Sequence, residues 1–154
     1  MSSSRRRLQG VTLIELLVVI VILAIMAALA LPSFGQLIVS QRIKTAASSL
    51  NAALMQTRSE ALKRNKSVVL TPLLGTQWNT GWTVADPDDA SKSLLQAAAV
   101  SNVSISGPVS VTFTSSGRVS GSNATFKLYS TETSDIRCVS ISLSGIPTVR
   151  TSGC

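Results

Sequence analysis

One carboxylate stands inside an otherwise apolar run. From Val11 to Leu31 every side chain is apolar except Thr12 and Glu15, and the run follows Arg5-Arg6-Arg7 and Gly10. A carboxylate at the centre of a membrane-spanning helix costs about 2.5–3.5 kcal/mol, and less near an interface, so Glu15 calls for a cationic or hydrogen-bonding partner. The other chemistry-bearing residues are sparse. Asp86, Asp88 and Asp89 surround Pro87, a spacing that fits a solvated turn better than a calcium loop, which would also need a bidentate Glu downstream. The chain has two cysteines, Cys138 and Cys154, and no histidine. That leaves any zinc site short of ligands. No nucleophile and base stand in a recognisable pattern, so neither an enzyme nor a cofactor is indicated.

The elements that must position Glu15 follow from the hydropathy pattern. Residues 1–10 form a short basic leader, and positive charge ahead of an apolar run holds the N-terminus in the cytoplasm. Val11–Leu31 is 21 residues. As a helix it would span roughly 32 Å, about the hydrocarbon thickness of a bilayer. Ala27-Ala28-Leu29-Ala30 resembles a secretory cleavage site, but a signal core does not need a carboxylate. Pro32 removes a backbone donor and predicts a kink. Apolar residues then recur at helical spacing through Phe34, Leu37, Ile38, Ile43, Ala46, Ala47, Leu50, Ala53, Leu54 and Ala61. Residues 32–66 therefore read as the amphipathic half of one long helix ending near Asn65, with one face packed on a domain.

Residues 67–154 read as a β-rich globular domain. Hydrophobic alternation predicts strands at 67–71, 81–85, 109–114, 125–130 and 137–143, with weaker ones at 94–100 and 103–105. Gly-Pro and Ser-Gly turns separate them. Aromatic residues are few, so Trp78, Trp82, Phe113 and Phe126 are the large pieces available to a Val, Ile, Leu and Ala core. One long helix followed by short strands predicts an α+β fold with the helix across antiparallel sheet. An even cysteine count in a chain with an export segment reads as a Cys138–Cys154 disulfide made outside the cytoplasm.

The net charge is +7. Removing the three leader arginines leaves eleven basic against seven acidic residues, a side-chain charge of +4. Arg58, Lys63, Arg64 and Lys66 cluster at the predicted helix end. Cations there complement the helix macrodipole, and Glu60 and Arg64 form an i,i+4 pair. The alternative use of this cluster is contact with nucleic-acid phosphates.

Gly10-Val11-Thr12-Leu13-Ile14-Glu15-Leu16-Leu17-Val18-Val19 resembles the cleavage and N-methylation motif of type IV pilins and type II secretion pseudopilins. Val11 stands where that family usually has Phe. Arg58-Ser59-Glu60-Ala61-Leu62-Lys63-Arg64-Asn65, Trp78 with Gly81-Trp82, Phe113 with Ser116-Gly117-Arg118, and the Cys138 to Cys154 segment are similar to the GspH/FimT group of minor pilins and pseudopilins. The resemblance implies the type IV pilin fold, with a kinked N-terminal helix on an antiparallel β-sheet domain. It implies that a prepilin peptidase cuts between Gly10 and Val11 and methylates Val11. The freed α-amine of one subunit would pair with Glu15 of a neighbour during assembly, and Pro32 would be the kinking proline. It further implies a minor pilin held in the inner membrane by one pass, its C-terminal domain in the periplasm, that joins other pilins in a pilus. The alternatives are a minor pseudopilin of a type II secretion system and a DNA-binding subunit for uptake. DNA-binding members carry a Gly-Arg-x-Arg-like tail, whereas this tail reads Gly145-Ile146-Pro147-Thr148-Val149-Arg150. Arg118 and Arg150, with the helix-end cluster, are the candidate DNA contacts.

Overall fold

The computed structural model describes residues 11–154, the side chains of residues 28–33 excepted. The leader with Gly10 therefore lies outside the described residues, as does the side chain of Pro32, the predicted kink. The chain divides into two compact units, residues 1–35 and 36–154.

Helix α1 (Leu13–Arg64) begins in the first unit and continues into the second. Its far end has a physical cause. Asn65 adopts a left-handed conformation, with φ of 51°. Lys66 N–H donates to Ala61 O at 3.2 Å and Asn65 N–H to Leu62 O at 3.4 Å. This pair of bonds is the Schellman motif, with Asn in the place glycine usually takes.

In the second unit the strands are β1 (Val68–Leu74), β2 (Gln77–Ala85), β3 (Ser93–Gln96), β4 (Ser104–Ser106), β5 (Val111–Phe113), β6 (Ala124–Tyr129), β7 (Ile136–Ile141) and β8 (Pro147–Arg150). They form two four-stranded sheets, ordered β3-β2-β1-β5 and β4-β6-β7-β8. Every pairing is antiparallel. β8 was not predicted from the sequence, and β1 runs on past Pro72, where the prediction stopped it.

The core joins both sheets to α1. Val39, Ile43, Ala46, Ala47, Leu50, Ala53, Leu54 and Ala61 are buried from the helix side, together with Val68, Val84, Phe113, Leu128 and Val139 from the strands. The helical stripe differs from the predicted one at its start: Phe34, Leu37 and Ile38 are exposed, and Val39 enters the core instead. Thr57 is buried within the stripe and satisfies its hydroxyl by donating to Ala53 O at 2.6 Å, the usual local solution for a helical threonine. The four large aromatics are all fully buried. Trp78 meets Phe126 edge-on, with ring centroids 4.8 Å apart, and its indole N–H donates to Pro108 O at 2.7 Å. Cys138 and Cys154 are joined by a disulfide, with Cα atoms 5.4 Å apart, which ties the tail after β8 back to β7.

Candidate functional site

The first candidate site is the start of α1. Thr12 is its N-cap. Its hydroxyl oxygen accepts from the Glu15 N–H at 3.3 Å, and its carbonyl accepts from Glu15 and Leu16 N–H at 3.1 and 3.2 Å. Thr-x-x-Glu is the spacing of a capping box, in which the acidic residue sits on the third helical position near the positive end of the dipole. Thr12 is thus a site residue that the sequence reading passed over, although the spacing of Thr12 to Glu15 carried the signal. Around this cap the helix surface is apolar and open. Val11, Leu13 and Ile14 are 70%, 83% and 71% exposed, and every described side chain through Ala27 is exposed. Glu15 is the one charged side chain between Arg7 and Arg42. Among the described residues, no helix is long and apolar enough to cross a membrane. The apolar run Val11–Leu31 reaches into the residues whose side chains are not described.

The second candidate is the basic cluster at the far end of α1. The structure uses most of it internally. Arg64 Nε donates to Glu60 Oε2 at 2.8 Å, and Arg64 Nη1 donates at 2.9 Å to Asp86 Oδ1 and to Asp88 Oδ2. Lys66 pairs with Asp88, and Lys63 approaches Glu60 at 3.8 Å. The acidic turn after β2 is therefore the counter-charge of the helix end. Among the described residues no cluster of acidic, His or Cys groups is placed to hold a metal ion. The hydrogen bond from Arg64, followed by the Lys63 charge, holds the Glu60 carboxyl below its ordinary value despite partial burial. Lys66 and then Arg64 do the same for Asp88, and the Arg64 guanidinium is raised in turn, first by Glu60.

The remaining basic residues lie apart from this network. Arg58 Nε donates to Gly117 O at 2.9 Å, so it fastens the turn after β5 to the helix. Arg118 is exposed on that turn. Arg150 is exposed on β8, in register with Cys138 of β7, which in turn pairs with Lys127 of β6. The structure thus brings Arg64 and Lys66 together with acids, and leaves Arg118 and Arg150 with no carboxylate in salt-bridge range among the described residues.

Comparison with known proteins bears on both ends of the chain. Residues 46–145 match the family described as type II transport protein GspH. Residues 5–31 match the prokaryotic N-terminal methylation motif. The fold is similar to that of the type IV minor pilin FimU of Pseudomonas aeruginosa, with a TM-score of 0.62 and 23% identity over 70% of this chain and 91% of that one. A second crystal form of FimU matches at 0.62 and 21% identity, over 73% of this chain and 90% of that one. The minor pseudopilin EpsH of the Vibrio cholerae Type 2 Secretion System matches at 0.58 and 15% identity, over 73% and 99%. No curated protein matches the chain.

Proposed function

The chain belongs to the family of the type II transport protein GspH, and from that premise we propose that it is a minor type IV pilin. In this reading prepilin peptidase cuts after Gly10 and methylates Val11. The helix 11–31 holds the subunit in the inner membrane, with residues 36–154 in the periplasm, until it joins other pilins in a filament. Its work is non-covalent: helix packing, priming of assembly, and display of a β domain.

The observation that carries the reading is Glu15. It is the one charge on a long apolar helix surface, and it sits four residues after the α-amine that cleavage would create. In a bundle of such helices, a neighbour's amine is the nearest cation able to offset a buried carboxylate. The pairing would set the axial offset between subunits.

A minor pseudopilin of a type II secretion system is the second reading, favoured by the description of the matched family. A deletion strain scored for surface pili with twitching and for secreted enzymes separates the two. Loss of pili with normal secretion supports the pilin, and the reverse supports the pseudopilin. A DNA-uptake role would rest first on Arg118, Arg150 and the exposed Lys63, since Arg64 and Lys66 are engaged with acids. Phosphate contacts weaken steeply with salt. Absence of duplex binding by the full chain at low salt therefore removes that role.

A further inference from the structure

Where the β3-β2-β1-β5 sheet ends, residues 36–154 form an open, mainly apolar groove of about 720 Å³. One wall is α1, through Leu37, Ile38, Thr45 and Ala52, and the other is the end of β3 with Ala97; Trp82 lies between them. Leu37 and Ile38 are more than half exposed.

The strand edge of the groove asks for a particular kind of occupant. β3 is the outer strand of its sheet. Ala97 N–H donates to Trp82 O at 2.8 Å, which makes Thr83 and Gln96, aligned across β2 and β3, a non-hydrogen-bonded pair. The N–H and C=O of Gln96 therefore turn away from β2, toward the open edge. An extended backbone offers a free donor or acceptor at every residue, whereas a helix has spent its backbone groups internally.

Charge narrows the partner. Arg42 lines the groove and has no carboxylate in salt-bridge range among the described residues. The chain's own first ten residues carry Arg5, Arg6 and Arg7 and few apolar side chains, so they suit neither the walls nor Arg42. We propose that this groove receives an extended, apolar segment of another polypeptide, added as a strand along β3, with a carboxylate opposite Arg42. The proposal goes beyond assembly through the N-terminal helix and stands without it.

Calorimetry on the detergent-solubilised full chain tests it with two strand-length peptides. One alternates valine and threonine around a single glutamate. The other is an alanine–leucine helix former with a single glutamate. The extended peptide should bind at least about tenfold more tightly than the helical one. Ala52→Trp fills the groove from an exposed helix position, and Gln96→Pro removes an edge N–H that the β2–β3 ladder does not use. Each should weaken the extended peptide by about tenfold or more, with far-UV dichroism unchanged. Arg42→Gln should weaken it severalfold and flatten its salt dependence. No binding of the extended peptide, preference for the helical one, or full binding to Ala52→Trp would overturn the assignment.

Discussion

Arg64 Nη1 lies 2.9 Å from Asp86 Oδ1, joining the last residue of α1 to the residue that follows β2. The same guanidinium also holds Glu60 and Asp88, so one side chain fixes the acidic turn onto the helix. Exposed ion pairs in isolation contribute little, but a shared, multiply bonded arginine does more. Arg64→Ala should lower the melting temperature by several degrees. Arg64→Lys should recover only part of this, because an ammonium cannot reproduce the fork. Thermal melts of the three proteins at one ionic strength check the order.

The network also sets a pH dependence. Glu60 and Asp88 titrate below their ordinary values of 4.5 and 3.8 in the folded chain, through Arg64 and Lys66 respectively. The folded state thus binds fewer protons than the unfolded state in that range. The stabilisation is fully present above the ordinary carboxylate range and is lost as pH falls through the lowered values. Melting temperature should be flat from about pH 7 to 5 and drop below that. Asp88→Asn should show a shallower drop, and an equal slope in that variant would remove Asp88 from the account.

Gly145 has φ of 78°, and a Cβ there would collide with Gly117 O, itself the acceptor of the Arg58 bond. Three segments meet at this point: α1, the turn after β5, and the turn before β8. Gly145→Ala should cost about 1–3 kcal/mol from strain alone, with the backbone collision added. Gly121 has φ of 95° but open space around it, so Gly121→Ala should cost less. Urea unfolding midpoints of the two variants give the comparison.

The disulfide closes a separation of 16 residues around β8. In the chain-entropy model this stabilises by about 3 kcal/mol. Reduction, or Cys154→Ser, should remove about that much and raise hydrogen exchange first at β8. Uniform loss of protection across both sheets would contradict this placement.

The helix was legible because its signals are local: an apolar run and a 3.6-residue stripe. Strands were legible where alternation was clean, as in β6, whose Ala124, Phe126 and Leu128 are buried and whose Thr125, Lys127 and Tyr129 are exposed. β8 was missed because it opens on Pro147 and has three exposed residues. As an edge strand it tolerates both features. β1 was cut at Pro72 for a reason that only pairing resolves. β5 covers only Val68 to Leu70. Thr71 and Thr83 form the hydrogen-bonded pair of the β1–β2 ladder, so the missing Pro72 N–H faces the side that β5 has already left. The helix-end cations and the Glu60–Arg64 pair were visible, but the acidic partners Asp86 and Asp88 stand 22 and 24 residues from Arg64. No local pattern reports such a pairing, and so phosphate contact stayed open as the alternative use of the cluster.

The central claim is that the charge of Glu15 pairs with a neighbour's N-terminus. The Thr12-x-x-Glu15 spacing offers a competing, purely local role, because a glutamine at the third helical position suits a capping box as a glutamate does. The most direct measurement is incorporation of Glu15→Gln into sheared filaments, scored beside Glu15→Ala and beside cleavage of the leader. The account predicts that both variants are processed and that both fail to enter filaments. Normal incorporation of Glu15→Gln would show that the helix cap, not the charge, is what assembly requires.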